Sequence, residues 1–548
     1  MLQNPILPGF HPDPCVCRRG DDYYLAVSSC EWFPGLPVYH SRDLKHWELY
    51  THILQDENRA DLRRLPSAKG IWAPCRTWGE EEGLFYVIYG IMNNQNARYF
   101  DVDNYLITAP DIRGPWSEPV YLHSAGFDAS LLHDDDGRKY IVSMDWETRE
   151  GYEKPGAISI CEYDPVRKSI LEIPRRIWHG GTDRGCIEAP HLTKRNGWYY
   201  LMCAEGGTGY NHCVTMARSR SPRGPFEGDP ENPILTSAPG ASDERHDPDH
   251  LKPRYYNPDS LLQKSGHGSY IDLPNGETYL FHLTARPFTP ELRCTLGRET
   301  AIQKMRWTED GWLRLAAGGR LAQLLCPEPD LPDCPVATAP VQDDFDSDTL
   351  GLPYYAPRID PRSFSDLKSR PGWLRLRGGE ALTSLNRVSQ LARKLTSVQC
   401  VVTTRMDFRP AVFQHSAGLT LYYDNMNFVI LRKYWSDSLD KPALGVLQIE
   451  NGERRSFPGA RTPAPDGPVW LRLRISGRNS RFCWSPDGRA WMAIGPDFDT
   501  SCFSDEYCKY GEFTGAFVGL ACMDRVQHSR CADFDFFRYE ADETAPVQ

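Results

Sequence analysis

The 548-residue sequence predicts an all-β chain, a five-bladed β-propeller followed by a β-sandwich. Three observations carry this reading. The N-terminal part holds a loose fivefold repeat of hairpin-rich units. A proline-rich stretch then interrupts the pattern. Beyond it, strands alternate cleanly between apolar and charged residues. The composition agrees, since 12 % aromatic residues with 44 Gly and 44 Pro suit short strands and tight turns.

Each repeat opens on a short polar or acidic entry, reaches a Gly- or Asp-containing turn and continues into an aromatic-rich strand. The first runs from His11-Pro12-Asp13-Pro14 to Tyr23-Tyr24-Leu25, the second from Trp72-Ala73-Pro74 to Phe85-Tyr86-Val87. The third runs from Phe127-Asp128-Ala129 through Asp136-Gly137 to Tyr140-Ile141-Val142. The fourth runs from Glu188-Ala189-Pro190 through Asn196-Gly197 to Tyr199-Tyr200-Leu201, and the fifth from Gly266-His267-Gly268 through Asn275-Gly276 to Tyr279-Leu280-Phe281. Asn-Gly and Asp-Gly between aromatic or β-branched runs are strong hairpin signals. A second element recurs at His40, Ala109 and Ser219, an outer strand ending in a turn and an aromatic anchor. In a propeller the innermost strands start around one cavity, so the entry residues Asp13, Asp128, Glu188 and His267 are expected to converge.

The proline-rich stretch covers 326–341 and separates a propeller at 1–325 from a sandwich at 342–548. In Trp373-Leu374-Arg375-Leu376-Arg377 and Trp470-Leu471-Arg472-Leu473-Arg474-Ile475, apolar residues on one face and arginine on the other indicate a sheet buried on one side. Ser485-Pro486-Asp487-Gly488 reads as a hairpin turn.

The net charge of −11 and the absence of a basic stripe exclude the electrostatic footprint of a nucleic-acid binder. No apolar run is long enough for a membrane span. The 17 cysteines are scattered without paired CxxC spacing, which argues against a disulfide framework or a zinc site. With no secretory signal visible at the N-terminus, the expected location is the cytoplasm.

Hydrolysing a glycosidic bond takes two carboxyl groups, one to protonate the leaving oxygen and one to activate water or attack the sugar. Asp13 lies between two prolines, and so on a stiff loop suited to holding a base. Glu188 lies beside Ile187 and Ala189, apolar company that raises a carboxyl pKa and keeps it an acid. Asp128, placed near that acid, would raise its pKa further and orient it. Each also has a plain structural alternative: a turn or cap Asp for Asp13, an Asx-turn for Asp128, an exposed strand-end Glu for Glu188. What favours chemistry is that all three occupy equivalent places in different repeats.

Arg298 offers a fork of donors suited to vicinal hydroxyls, or else forms an ion pair with Glu299 or another acid. His267 orients a ligand or ion at the propeller centre, or is a satisfied structural histidine. Trp72, Phe127 and Trp146 are walls for a sugar ring, or core.

Several segments together resemble the β-xylosidases of glycoside hydrolase family 43. They are Asn4–Pro14, Glu31–Gly35, Gly70–Pro74, Glu188–Leu192, Ala204–Thr208 and Gly297–Gln303, with Phe513–Gly519 and Ala532–Phe537 near the C-terminus. The resemblance covers nearly the whole chain. It implies a five-bladed propeller with a concanavalin-like sandwich, and an exo-acting, inverting hydrolase of short xylo-oligosaccharides. It implies Asp13 as general base, Glu188 as general acid and Asp128 as modulator of the acid's pKa. It further implies a terminal-sugar subsite of His267, Arg298, Trp72, Phe127 and Trp146, closed by a sandwich loop around Phe513. No cofactor is required. A divalent cation such as calcium near His267 is compatible with the family but not expected, and a homo-oligomer is compatible too.

One position departs from the family pattern: Cys30 stands before Glu31-Trp32 where a bulky aromatic is expected. A smaller wall loosens the terminal subsite, so an α-L-arabinofuranosidase or a bifunctional enzyme is the nearest alternative. A non-catalytic sugar-binding propeller is a remoter one, opposed by the three carboxylates. Inversion predicts carboxyls roughly 6.5–9.5 Å apart, retention about 5–5.5 Å; the wider spacing is expected between Asp13 and Glu188.

Overall fold

The computed structural model describes residues 1–96, 99–149, 151, 156–239, 255–510 and 512–547. Apart from short 3₁₀ turns, the regular elements among these residues are β-strands. Five antiparallel sheets follow one another along the chain. Each opens with its innermost strand: Cys15–Arg19, Gly70–Gly79, Ser130–His133, Glu188–Arg195 and Gln263–Asp272. Each innermost strand packs against the next, and the fifth against the first, so the sheets form a five-bladed ring around one axis.

Turn chemistry sets the hairpins. Asn196 and Gly197 have φ of 50° and 72°, as a two-residue type I′ turn between Glu188–Arg195 and Trp198–Glu205 requires. The stretches at His40, Ala109 and Ser219 end the third strands of blades 1, 2 and 4. Their anchors pack inward, Trp116 in the core shared by blades 1 and 2, and Trp47 edge-on to Phe281 at 5.7 Å. The ring is tied shut by the N-terminus. Leu2–Gln3 pairs with Leu325–Cys326, and the Asn4 side chain donates to the carbonyls of Ile302 and Gln323 at 2.8 and 2.9 Å.

The proline-rich segment is strapped to the propeller. The Asp330 N–H donates to Glu277 at 2.8 Å, and Lys45 ion-pairs with Asp333. Past it, a nine-stranded and a seven-stranded antiparallel sheet face each other. Leu419 and Leu431 from one, and Leu471, Phe482 and Phe534 from the other, are fully buried in their shared core. The alternation at 471–475 has its physical cause here: Leu471, Leu473 and Ile475 face the core while Arg472 and Arg474 face outward.

The two units are joined by more than the segment between them. Ala356–Pro357 of the sandwich pairs with Trp32–Phe33 of the propeller, and the Trp32 ring stacks on Phe517 at 3.7 Å. Arg358, fully buried, donates from Nε to the Leu65 carbonyl at 2.8 Å. None of the 17 cysteines is in a disulfide. No helix among the described residues is long and apolar enough to cross a membrane.

Candidate active site

All five innermost strands are entered through the same irregularity. Pairing with the second strand slips by one residue between Trp72 and Cys75, between Glu188 and His191, and between Gly266 and Gly268. Blades 1 and 3 show the same slip, since Ser28 bonds Pro12 while Cys15 faces Ala26, and Met144 bonds Phe127 while Ser130 faces Val142. Within each slip one residue takes a left-handed backbone: Asp13 (φ 58°), Ala73 (38°), Asp128 (54°), Ala189 (52°) and His267 (45°). A non-glycine residue in that region costs on the order of 1–3 kcal/mol, and bulges beside active sites re-aim side chains.

The candidate residues fall on two positions of this bulge. Asp13, Asp128 and His267 occupy the left-handed position, whereas Trp72, Phe127 and Glu188 stand one residue earlier. Glu188 is therefore not the strict counterpart of Asp13 and Asp128, as the repeat pattern suggested; Ala189 is. The reason is the bulge itself, which inserts a residue and lets two neighbouring positions serve one cavity.

Each oxygen of Asp13 has a polar neighbour. Ser28 Oγ donates to Oδ2 at 2.6 Å, and His267 Nδ1 lies 3.2 Å from Oδ1. The Ser28 hydroxyl is itself oriented, because it accepts the Ala73 N–H at 2.7 Å and so has its proton free for Asp13. Burial pushes the His267 ring below its ordinary pKa, opposed by the Asp13 charge.

Glu188 is pushed up to about 8, first by burial and then by the negative charge of Asp13, with Arg298 opposing. Asp128 is also raised, by burial and by the charges of Glu188 and Asp13. The Ala189 N–H donates to Asp128 Oδ2 at 3.0 Å and favours its ionised form. Three carboxyl groups thus share a site that cannot hold three full negative charges, and both Glu188 and Asp128 are pushed toward their protonated forms.

The wall is aromatic. Phe513 of the sandwich meets Trp72 edge-on at 5.7 Å, Trp72 meets Phe127 at 6.0 Å, and Trp146 lies 6.5 Å from Phe127. The Arg298 guanidinium lies 4.5 Å over the Phe513 ring. Arg298 is nearly fully buried, and its Nε has no hydrogen-bond partner among the described residues. Such a donor asks for an oxygen from a ligand. The ion pair proposed with Glu299 does not form, because Glu299 is held by Arg286 at 2.7 Å. Arg298 instead faces Asp505 of the sandwich at 3.5 Å and donates to Thr208. Cys30 sits at this seam, its Sγ 4.0 Å from the Phe513 carbonyl.

Residues 2–313 match the model of Glycosyl hydrolases family 43, and residues 342–540 match the Beta xylosidase C-terminal Concanavalin A-like domain. The chain belongs to glycoside hydrolase family 43. Among proteins similar to this family 43 chain is Xylosidase/arabinosidase 43B of Humicola insolens, 41 % identical with 100 % of this chain and 98 % of that one covered. The Beta-xylosidase of Bacillus subtilis is 38 % identical, covering 98 % and 99 %. Among solved structures, the xylan beta-1,4-xylosidase from Bacillus halodurans C-125 superposes with a TM-score of 0.92 at 43 % identity, covering 98 % and 100 %. The chain is a β-xylosidase/arabinosidase-type family 43 glycosidase with a propeller and a concanavalin-like domain.

Several residues of this family 43 site escaped the sequence reading. Thr208 lay within a segment already singled out, Ala204–Thr208, and had a signal there. Ser28, Phe100 and Asp505 had none. Phe100 packs between Phe127 and Trp146 at 5.0 and 4.7 Å, yet it lies on an outer strand of blade 2. Around His267 no set of three or more His, Cys or carboxylate donors gathers among the described residues. The protein atoms there offer a hard cation little beyond His267 and Asp13.

Proposed function

We propose that the chain is an exo-acting, inverting β-xylosidase that removes xylose from the non-reducing ends of short β-1,4-xylo-oligosaccharides. Asp13 is the base that takes a proton from water as the water attacks the anomeric carbon. Glu188 is the acid that gives its proton to the departing glycosidic oxygen. Asp128 tunes and orients that acid. The observation that carries the reading is the pairing of a carboxyl kept protonated near neutrality, Glu188, with a carboxylate clamped between Ser28 and His267.

The terminal sugar is expected on Trp72, Phe127 and Trp146, with Arg298 donating to its hydroxyls. Phe513 of the sandwich packs against Trp72 and Arg298, which supports a pocket covered on that side and so removal of end units over cleavage within a polymer. In each turnover Asp13 gains a proton and Glu188 loses one, and exchange with solvent resets both.

Arabinofuranosidase or dual activity is the second reading. Cys30 favours it, because a small side chain stands at the seam with Phe513 where a bulky aromatic is expected. The deciding experiment follows xylobiose and an aryl α-L-arabinofuranoside by NMR, with wild type and Glu188→Gln. Release of α-xylose, largely lost in the variant, supports the inverting xylosidase; release of β-xylose sinks the role of Asp13 as a base for water. Turnover of the arabinofuranoside alone moves the assignment to the second reading.

A further inference from the structure

We propose that the propeller axis carries a second site, a Cys₂His site for a thiophilic divalent metal ion of the zinc type, built from Cys15, Cys75 and His191. The common bulge makes these three residues equivalent. Each stands two residues after the left-handed position of its blade, at 13, 73 and 189. Blades 3 and 5 place Ser130 and Ser269 there. Side chains two apart on a strand share a face, so this ring lies one step along the innermost strands from Asp13, Asp128 and His267.

In four of the five blades the ring residue is tied to the backbone of the next blade. Ser269 Oγ donates to the Pro14 carbonyl at 2.8 Å and accepts from Val16 at 3.0 Å. Cys15 Sγ accepts the Arg76 N–H at 3.2 Å, Ser130 Oγ donates to the Pro190 carbonyl at 2.5 Å, and Cys75 is hydrogen-bonded by the backbone at Leu131. His191 is the exception, since no hydrogen bond to either ring nitrogen is found among the described residues. A donor from each of Cys15, Cys75 and His191 nevertheless lies within 4.8 Å of the other two.

Two thiols and an imidazole make a soft donor set that selects zinc-type ions over calcium or magnesium. Zinc sits about 2.3 Å from sulfur and about 2.0–2.1 Å from nitrogen, with a fourth position open to water in three-ligand sites. Tetrahedral donors then stand somewhat under 4 Å apart, so closing this set takes only a small side-chain adjustment. Both thiols would release their protons on binding. His191 is only partly buried, which leaves an approach to the site, while both cysteines are buried. This donor set is separate from any hard-cation site at His267.

The test is titration of the full-length reduced protein with Co²⁺. The expected result is a single tight ion with a thiolate-to-cobalt charge-transfer band in the near ultraviolet and visible bands of a four-coordinate site. Cys15→Ser and Cys75→Ser should each remove about half of the charge-transfer intensity. His191→Gln, at the least buried of the three, should weaken binding by at least about tenfold, a loss that even changes outside the ligand shell produce. His267→Ala should leave the band unchanged. A wild type without the charge-transfer band overturns the proposal whatever the variants do. Unchanged affinity in His191→Gln, or a band that survives loss of both cysteines, overturns it as well.

Discussion

Asp128 accepts a hydrogen bond of 3.0 Å from the backbone N–H of Ala189, the residue that follows Glu188. The carboxyl of blade 3 is thereby tied to the strand entry that carries the carboxyl of blade 4. Any change at Asp128 acts on Glu188 in two ways, through charge and through position.

The first expectation concerns pH. Glu188 must be protonated to act, and it is held up to about 8, so kcat should fall as pH rises through that value. Where Asp128 is ionised, Asp128→Asn removes a negative charge and should move this upper limb to lower pH. An upper limb that stays in place in the variant would leave burial and the Asp13 charge as the sources of the raised pKa.

Leaving-group dependence separates an acid from a merely structural Glu188. Glu188→Gln should lower kcat on xylobiose by roughly 10²–10⁴-fold. An aryl xyloside with a good phenolate leaving group needs little protonation and should lose far less. Equal losses on both substrates would count against the acid role.

Ser28 holds Asp13 through a 2.6 Å hydrogen bond, with its own proton directed by Ala73. Bonds to charged groups are worth about 1.5–3 kcal/mol, so Ser28→Ala should cost roughly ten- to hundredfold in kcat with KM little changed. Steady-state kinetics at the pH optimum check this, and a rise in KM alone would mean Ser28 shapes the sugar subsite instead.

Asp505 lies far from the propeller in sequence but is fully buried against Arg298 and Tyr423. Removing one partner of a buried ion pair typically costs about 3–5 kcal/mol. Asp505→Ala should therefore lower the unfolding midpoint in urea and also raise KM, as Arg298 loses its orientation. Stability lost without any change in KM would confine Asp505 to structure.

Cys30→Phe should raise the ratio of xyloside to arabinofuranoside turnover by about tenfold, the scale on which apolar pocket changes discriminate. Both activities, measured on one preparation, give the ratio directly.

The fold was legible because its signals are local. Asn196-Gly197 specifies its turn through two positive φ values, and the alternation at 471–475 follows from a sheet with one buried face. The convergence of Asp13, Asp128 and His267 was legible once the repeats were aligned. The one-residue offset of Glu188 was not, since a bulge breaks the very alternation from which strand position is read. Asp505 left no trace because its partner, Arg298, is set by how two separately patterned units dock, and no short-range rule describes that contact.

The same contact orders events during synthesis. Blades form from consecutive stretches of chain, and N-terminal units fold first as they leave the ribosome. A finished propeller would thus wait with Arg298 unpaired with Asp505 and not yet covered by Phe513 until the sandwich segment arrives. Catalytic competence is then among the last properties the nascent chain acquires, and a chain released before its final strands would keep the carboxylates yet lack the counter-charge and the Phe513 cover that complete the pocket.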